Sequence, residues 1–218
     1  LVMTWLYHSD VMGICAAALA GISSKRLIWN IRSSNTQFKR YNILQRIMVF
    51  IAARLSPFPG CVTVNSLGGR VAHENIGYRP RHWRYIPNAF DLDEWRPDQQ
   101  DRNTVRSELG LAADHVAFVL SARVDPAKDH AGFLEACRSV SQRHANARFV
   151  LIGQGTEGLE IPLEIQDRVI RLGLRTDVQR ILRGMDVGVL CSAFGEGFAN
   201  VLGEAMASAL PCVATDVG

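Results

Sequence analysis

Between Val11 and His73 the chain contains no aspartate or glutamate. The same window carries Lys25, Arg26, Arg32, Lys39, Arg40, Arg46, Arg54 and Arg70, eight positive charges against a net of +3 for all 218 residues. The first part is therefore basic, and the remainder holds about −5, a charge asymmetry between halves. Cysteine is scarce and unpatterned. Cys15, Cys61, Cys137, Cys191 and Cys212 are odd in number and never closely spaced, which argues against a disulfide framework or a zinc site and for a reducing cytoplasm. Long apolar runs are missing too: "VMGICAAALAGI" and "IMVFIAA" are too short to span a bilayer. The histidines show no metal-ligand spacing, and no aromatic-basic motif points to nucleic acid. An initiator Met is also lacking, and both ends of the chain read as strands, so the sequence is expected to be a piece of a longer protein.

What is present is alternation. "VMTWLYH", "RLIWNI", "CVTVN" and "WRYI" read as strands. Among them stand helical patterns over Val11–Ala20, entered through Ser9 or Asp10 as N-caps, over Tyr41–Leu55, and in a short run from Ser66. A polar loop, "RSSNTQ", follows the second strand. "PNAFDLDEWRP", with proline at both ends, breaks the pattern and reads as a linker. The alternation then restarts, with strands "VAFVLSA", "RFVLIG", "RVIRLG", "VGVLC" and "CVATD" and helices over 101–109, 129–143, 176–183 and 198–209. Repeated β-α units imply parallel sheets covered by helices on both faces. The expected organisation is α/β, with residues 1–88 in one Rossmann-like domain, 89–99 as linker and 100–218 in a second.

Ligands of open α/β sheets sit outside the carboxyl ends of the strands, so the residues that follow each strand carry the chemistry. "ARVDPAKD" places Arg123 and Lys128 five apart in one loop. Two cations converging there suit a diphosphate and the charge it gains on leaving. "GQGTE" supplies Gly153 and Gly155, where backbone can approach a ligand closely. It falls short of the full Gly-x-Gly-x-x-Gly fingerprint, which argues against a nicotinamide or flavin enzyme. "FGEGFANVLGEAMASALP" holds Glu196 and Glu204 eight positions apart, with no other charge before Asp216. Gly197 stands at the mouth of the following helix, whose N–H groups suit phosphate. Among small and apolar neighbours Glu204 is costly unless something donates hydrogen bonds to it, and a ribose cis-diol supplies two such donors. The other reading leaves Glu204 on the solvent face or paired with a buried arginine. His8, at the end of the first strand, is a candidate for the cleft.

In order along the chain, "YIPNAFDLDEWRP", "ARVDPAKD", "VLIGQG", "VIRLGLRTDVQRIL", "DVGVLCS" and "EGFANVLGEAMASALPCVATDVG" resemble the retaining glycosyltransferases of family 4. These have the GT-B fold, two Rossmann-like domains facing each other across a cleft, both incomplete here. The resemblance implies that Arg123 and Lys128 bind the donor diphosphate, Glu204 the ribose hydroxyls, and Glu196 the transferred sugar. Backbone over Gly197, Phe198, Ala199, Asn200 and Val201 would help hold sugar and phosphate, and the base would lie near Leu174 and Arg175. It further implies retention of configuration, no metal and no cofactor beyond the nucleotide sugar as co-substrate, with an acceptor on the first domain. "IRSSN" places Arg32 where many relatives carry a histidine, as in the bacterial polysaccharide-building branch. Ala122, Ala89 and Ala209 stand where the family usually has glycine. If position 209 is left-handed, alanine costs on the order of 1 kcal/mol there.

The implied function is transfer of a sugar from a nucleoside-diphosphate sugar to a glycan or polyprenyl-linked acceptor in cell-surface polysaccharide assembly. A sugar-nucleotide epimerase or phosphorylase on the same architecture, or an inactive nucleotide-sugar-binding relative, stay open. Arg46 and Arg54 beside Ile47, Phe50 and Ile51 suggest peripheral docking on an anionic membrane face.

Overall fold

The computed structural model describes residues 1–34 and 42–217. It divides into two units, Leu1–Asn88 with Gly195–Phe198, and Ala89–Phe194 with Ala199–Val217.

The first unit holds a parallel sheet in the order β1 (Val2–Trp5), β2 (Leu27–Ile31), β3 (Cys61–Val64), β4 (Trp83–Tyr85). Leu27, Trp29 and Ile31 of β2 alternate into the core, as period 2 dictates. Among the described residues three α-helices accompany the sheet: α1 (Tyr7–Leu19), α2 (Ile43–Leu55) and α3 (Leu67–Asn75). Val11 of α1 and Ala52 and Ala53 of α2 close over Trp29, Val62, Val64 and Tyr78.

Helix α1 starts four residues earlier than expected. The carbonyl of Leu6 already accepts from Asp10 N at 3.0 Å, so Leu6 is the N-cap, at φ 72°, and Ser9 and Asp10 lie within the first turn. Helix α2 opens at a capping box that the reading of its start at Tyr41 overlooked. Asn42 accepts from Gln45 N (2.8 Å) and donates its own N–H to Gln45 Oε1 (3.1 Å). Tyr41, Lys39, Arg40 and the end of the "RSSNTQ" loop lie outside the described residues.

The second unit holds a five-stranded parallel sheet in the order β7 (Val169–Arg171), β6 (Ala147–Ile152), β5 (Val116–Ser121), β8 (Val187–Leu190), β9 (Cys212–Ala214). Its helices are α4 (Gln99–Glu108), α5 (His130–Ser141), α6 (Val178–Arg183) and α7 (Asn200–Ala207). Both faces of the sheet are covered. Ala117, Val119, Val150 and Ile152 pack with Val105, Ile181 and Leu182 on one side. Leu120, Phe149 and Leu151 pack with Phe133, Leu134 and Ile165 on the other. That is why β5 and β6 are nearly continuously apolar.

Residues 89–99 are packed as part of this unit. Trp95 joins the first of those clusters, and the Phe90 ring lies over Gly203. Arg183 donates to the carbonyls of Glu94 (2.8 Å) and Arg96 (3.0 Å) while pairing with Asp101. Nearby, both terminal nitrogens of buried Arg106 donate, to the carbonyls of Gly184, Ala112 and His115 and to Asp186. Burying its charge is tolerable on those terms.

Candidate functional site

In the second unit the strand order reverses between β5 and β8, the topological switch point where ligands of open α/β sheets bind. The loop after β5 is stiffened by Asp125. Its Oδ1 accepts from Ala127 N (2.8 Å), capping the 3-10 turn Pro126–Lys128, and its Oδ2 pairs with Arg123 Nη2 (3.2 Å). The Ala127 N–H bond chiefly, and then Arg123, hold the Asp125 carboxyl below the usual carboxylate range. Ala127 O in turn accepts from Ala193 N at 2.8 Å, tying this loop to the end of β8.

The loops after β5, β6 and β7 are laced together, which explains the Gly-x-Gly. Val124 N donates to Gln154 O (2.8 Å), and Gly153 N to Gly173 O (2.7 Å). Thr156 Oγ1 donates to Gly153 O (2.9 Å) and accepts from Gly173 N (3.1 Å). Gly153 sits at φ 137°, where a Cβ would overlap the Ala122 carbonyl and come within 2.8 Å of Arg123 N. At Gly155, φ 88°, a Cβ would come within 3.2 Å of the Val124 side chain, a tight contact without overlap. The glycines are needed first for approach of one loop to another.

These loops and the start of α7 enclose a cleft of about 340 Å³. Arg123, Lys128, Gly153, Leu174, Arg175 and Val201, all singled out from the sequence, line it. Ser121, Gln154 and Val178 line it too and were missed. The signal for Gln154 was there, since it stands between Gly153 and Gly155. Arg123 and Leu174 are exposed, and Lys128 is half-buried. Arg175 is held by a two-pronged pair with Asp177, at 2.9 and 2.8 Å.

Helix α7 begins at Asn200 with Ala199 as N-cap, two residues later than expected. Alanine has no side chain to cap, so the N-cap residue leaves the first N–H groups of α7 to other partners. The small residues of α7 serve close packing. Ala205, 3% exposed, lies against Gly188 of β8, where a Cβ would come within 2.7 Å of it. Gly203 meets Phe90. Glu204 is the polar exception: half-buried, with no side-chain hydrogen bond or ion pair among the described residues. Burial alone pushes its carboxyl above the usual range. It is neither fully exposed nor paired with arginine. Glu204 stands about 6 Å along the axis from Asn200, about one turn into α7. It is not among the residues lining the cleft, whereas Val201, three positions before on the same helix face, is.

Glu196, Gly197 and Phe198 belong to the segment grouped with the first unit, and all three are half-buried. Ser34 Oγ donates to the Glu196 carbonyl. Arg32 follows β2 and donates to Asn88 Oδ1 at 2.5 Å. It lines a first-unit cavity that His8 does not reach; His8 is exposed on the first turn of α1. Of the three alanines standing for glycine, Ala122 and Ala89 have ordinary backbone, and only Ala209 is left-handed, at φ 60°.

Residues 114–218 match the family Glycosyl transferases group 1. Over 92% of its length the chain is 29% identical to EpsF of Bacillus subtilis (strain 168), and it covers 53% of that protein. Over its whole length it is 24% identical to the UDP-Gal:alpha-D-GlcNAc-diphosphoundecaprenol alpha-1,3-galactosyltransferase of Escherichia coli, covering 58%. The chain thus spans somewhat over half the length of these curated relatives. Among solved structures, Anabaena HepE in complex with UDP-glucose superposes with a TM-score of 0.82 at 23% identity, over 99% of this chain and 60% of that one.

Proposed function

The second half of the chain is a group 1 glycosyltransferase domain, of the family 4 type with the GT-B fold, and from that premise we propose that the protein transfers a sugar from a nucleoside-diphosphate sugar to a glycan or lipid-linked acceptor in cell-surface polysaccharide or glycoconjugate assembly. One observation carries this reading: Arg123 and Lys128 converge with Gly153 and Val201 on one cleft at the switch point of the second unit. A uridine diphosphate sugar is the first donor to test, because the Escherichia coli relative is named for UDP-Gal and HepE was solved with UDP-glucose.

In this reading the anomeric C–O bond breaks as the nucleoside diphosphate departs, and negative charge builds on its β-phosphate. Arg123, Lys128 and the uncapped start of α7 stabilise that charge, the kind of preorganised electrostatics that is usually the largest catalytic term. Two protein cations and a helix terminus support a transfer that proceeds without a metal. Glu204 takes the ribose hydroxyls, which supply the donors its half-buried carboxylate lacks. The base lies against Leu174 and Arg175. Glu196 addresses the transferred sugar, and retention of configuration follows the family.

The acid-free region supports a membrane-surface role. Helix α2 exposes Ile43, Leu44, Ile47 and Phe50, with Arg46 and Arg54 also exposed and the Arg54 guanidinium 4.6 Å over the Phe50 ring. Such a stripe suits peripheral docking on anionic headgroups at the cytoplasmic face. No helix among the described residues is long and apolar enough to cross a membrane. Flotation of the full-length protein with anionic but not zwitterionic liposomes is the expected result, and no flotation with either would end the docking idea.

For the transfer itself, thermal shift of the full-length protein against UDP-glucose, UDP-galactose, UDP-N-acetylglucosamine and GDP-mannose is decisive. One of them should stabilise it, and Arg123→Ala or Lys128→Ala should weaken that donor about 10- to 100-fold. Undiminished binding by both variants would refute the diphosphate grip.

A further inference from the structure

Helix α7 carries Val201 and Glu204, yet little in its own sequence holds it in place. It is eight residues long, short of the about 12–15 at which an isolated helix is even marginal in water. Ala199 gives it no side-chain cap, and Ala205 is its one fully buried residue. At the far end it closes through left-handed Ala209, with Leu210 N donating to Ala205 O at 2.9 Å. Its position therefore depends on what packs against its flanks.

Two close contacts supply this, and both use the absence of a side chain. On one flank Ala205 lies against Gly188 of β8. On another, the tip of the Phe90 ring fills the space a Cβ of Gly203 would take. At about 100° per residue, Gly203 and Ala205 lie about 160° apart around the helix axis. The sheet and Phe90 thus grip α7 from nearly opposite sides. Val201, which lines the cleft, and Glu204 lie about 60° apart on the flank turned away from Gly203. Phe90 is half-buried, and the segment that bears it is itself anchored to this unit. Trp95 packs against the cluster of Val105, Ile181 and Leu182, and Arg183 holds the carbonyls of Glu94 and Arg96. A ring carried on an anchored segment is a firm stop, because close-packed atoms yield little.

We propose that Phe90 is a positioning residue for donor binding: from the 89–99 segment it packs on Gly203 and sets α7 so that Val201 and Glu204 meet the nucleotide sugar. This rests on the glycosyl-transfer reading for the identity of the ligand, but the grip on α7 is testable without it. A misplacement of about 1 Å is enough to cost a positioned group about 100-fold in rate. A hydrogen bond to the Glu204 carboxylate is similarly sensitive to distance and angle.

The test is calorimetric titration of the full-length protein with whichever of UDP-glucose, UDP-galactose, UDP-N-acetylglucosamine and GDP-mannose binds the wild type, joined to amide hydrogen exchange without ligand. Phe90→Ala should weaken that donor about tenfold. Phe90→Leu, which keeps apolar bulk at the contact, should recover most of the loss. In a Glu204→Gln background the Phe90→Ala effect should shrink to about twofold or less, because the ring acts through the helix that bears Glu204. Exchange of the α7 amides should quicken in ligand-free Phe90→Ala while that of β5 and β6 stays as it was. Gly203→Ala disturbs the same contact from its other partner and should weaken the donor too, which keeps the test open should Phe90→Ala fold poorly. Undiminished affinity in both Phe90→Ala and Gly203→Ala, an equal loss with and without Glu204, or unaltered exchange of α7 would overturn the proposal. If no nucleotide sugar binds the wild type, the donor reading falls instead, and the exchange result alone decides whether Phe90 holds α7.

Discussion

Gly203 of α7 lies so close under the ring of Phe90 that one added methyl group would overlap it. A glycine inside a helix costs about 1 kcal/mol relative to alanine, so Gly203→Ala should stabilise if propensity ruled. Overpacking against a ring costs typically about 1–3 kcal/mol, and steric overlap should win. Gly203→Ala is expected to lower the midpoint of thermal unfolding, and adding Phe90→Ala should restore part of the loss in a double-mutant cycle. A rise in the single variant would show that Phe90 does not press on α7.

Ala209 presents the opposite case. Its left-handed φ of 60° is costly for a residue with a Cβ, and the strain outweighs the extra unfolded-state entropy of glycine. Ala209→Gly should stabilise by about 1 kcal/mol, read as a higher midpoint in urea with unchanged slope. Ala122→Gly and Ala89→Gly, at ordinary backbone, should destabilise slightly instead.

At Gly153 the backbone sits at φ 137° and the Ala122–Arg123 peptide occupies the space of a Cβ. Gly153→Ala should cost roughly 2 kcal/mol or more and displace the Arg123 loop. Donor affinity measured by calorimetry should fall with it, although the substituted residue bears no charge.

Glu204 links donor binding to pH. Burial raises its folded-state pKa, so its proton is bound more tightly in the folded protein and its ionised form is the strained one. Ribose hydroxyls would stabilise the carboxylate and draw that pKa down. Donor binding should then release protons, and affinity should decline as pH falls through the raised Glu204 range. Calorimetry in buffers of different ionisation enthalpy reads this directly, and Glu204→Gln should flatten the profile. An unchanged profile in that variant would remove the ribose role.

For Asp10, with its pKa pushed from 3.8 to about 7 by burial, the sign runs the same way. The folded state gains from holding the proton. That gain is complete below pH 3.8 and is lost as pH rises through about 7. Stability of the wild-type protein relative to Asp10→Asn should therefore fall between pH 4 and 8, by on the order of 3 kcal/mol. Urea unfolding of both proteins at those two pH values checks it.

Much of this molecule was determined locally. Short continuous apolar runs in "VAFVLSA" and "RFVLIG" and helical spacing in Ile43–Leu55 made the elements and both parallel sheets legible, because each pattern reflects the geometry and covering of a single strand or helix. Ser66 at the start of α3 was readable for the same reason, being a short-range hydrogen bond to Gly69 N. The charged loop and the glutamates of "FGEGFANVLGEAMA" were visible as residue types. Tertiary structure alone decided which of them meet. Arg123 and Val201 are brought to one cleft by the strand order β6-β5-β8, which is set by packing between segments remote in the chain. The same non-local packing folded residues 89–99 into the second unit, turned Gly153 toward a neighbouring loop, and sank Asp10 while leaving His8 in water. Burial is a property of what surrounds a residue, and no window of sequence contains its surroundings.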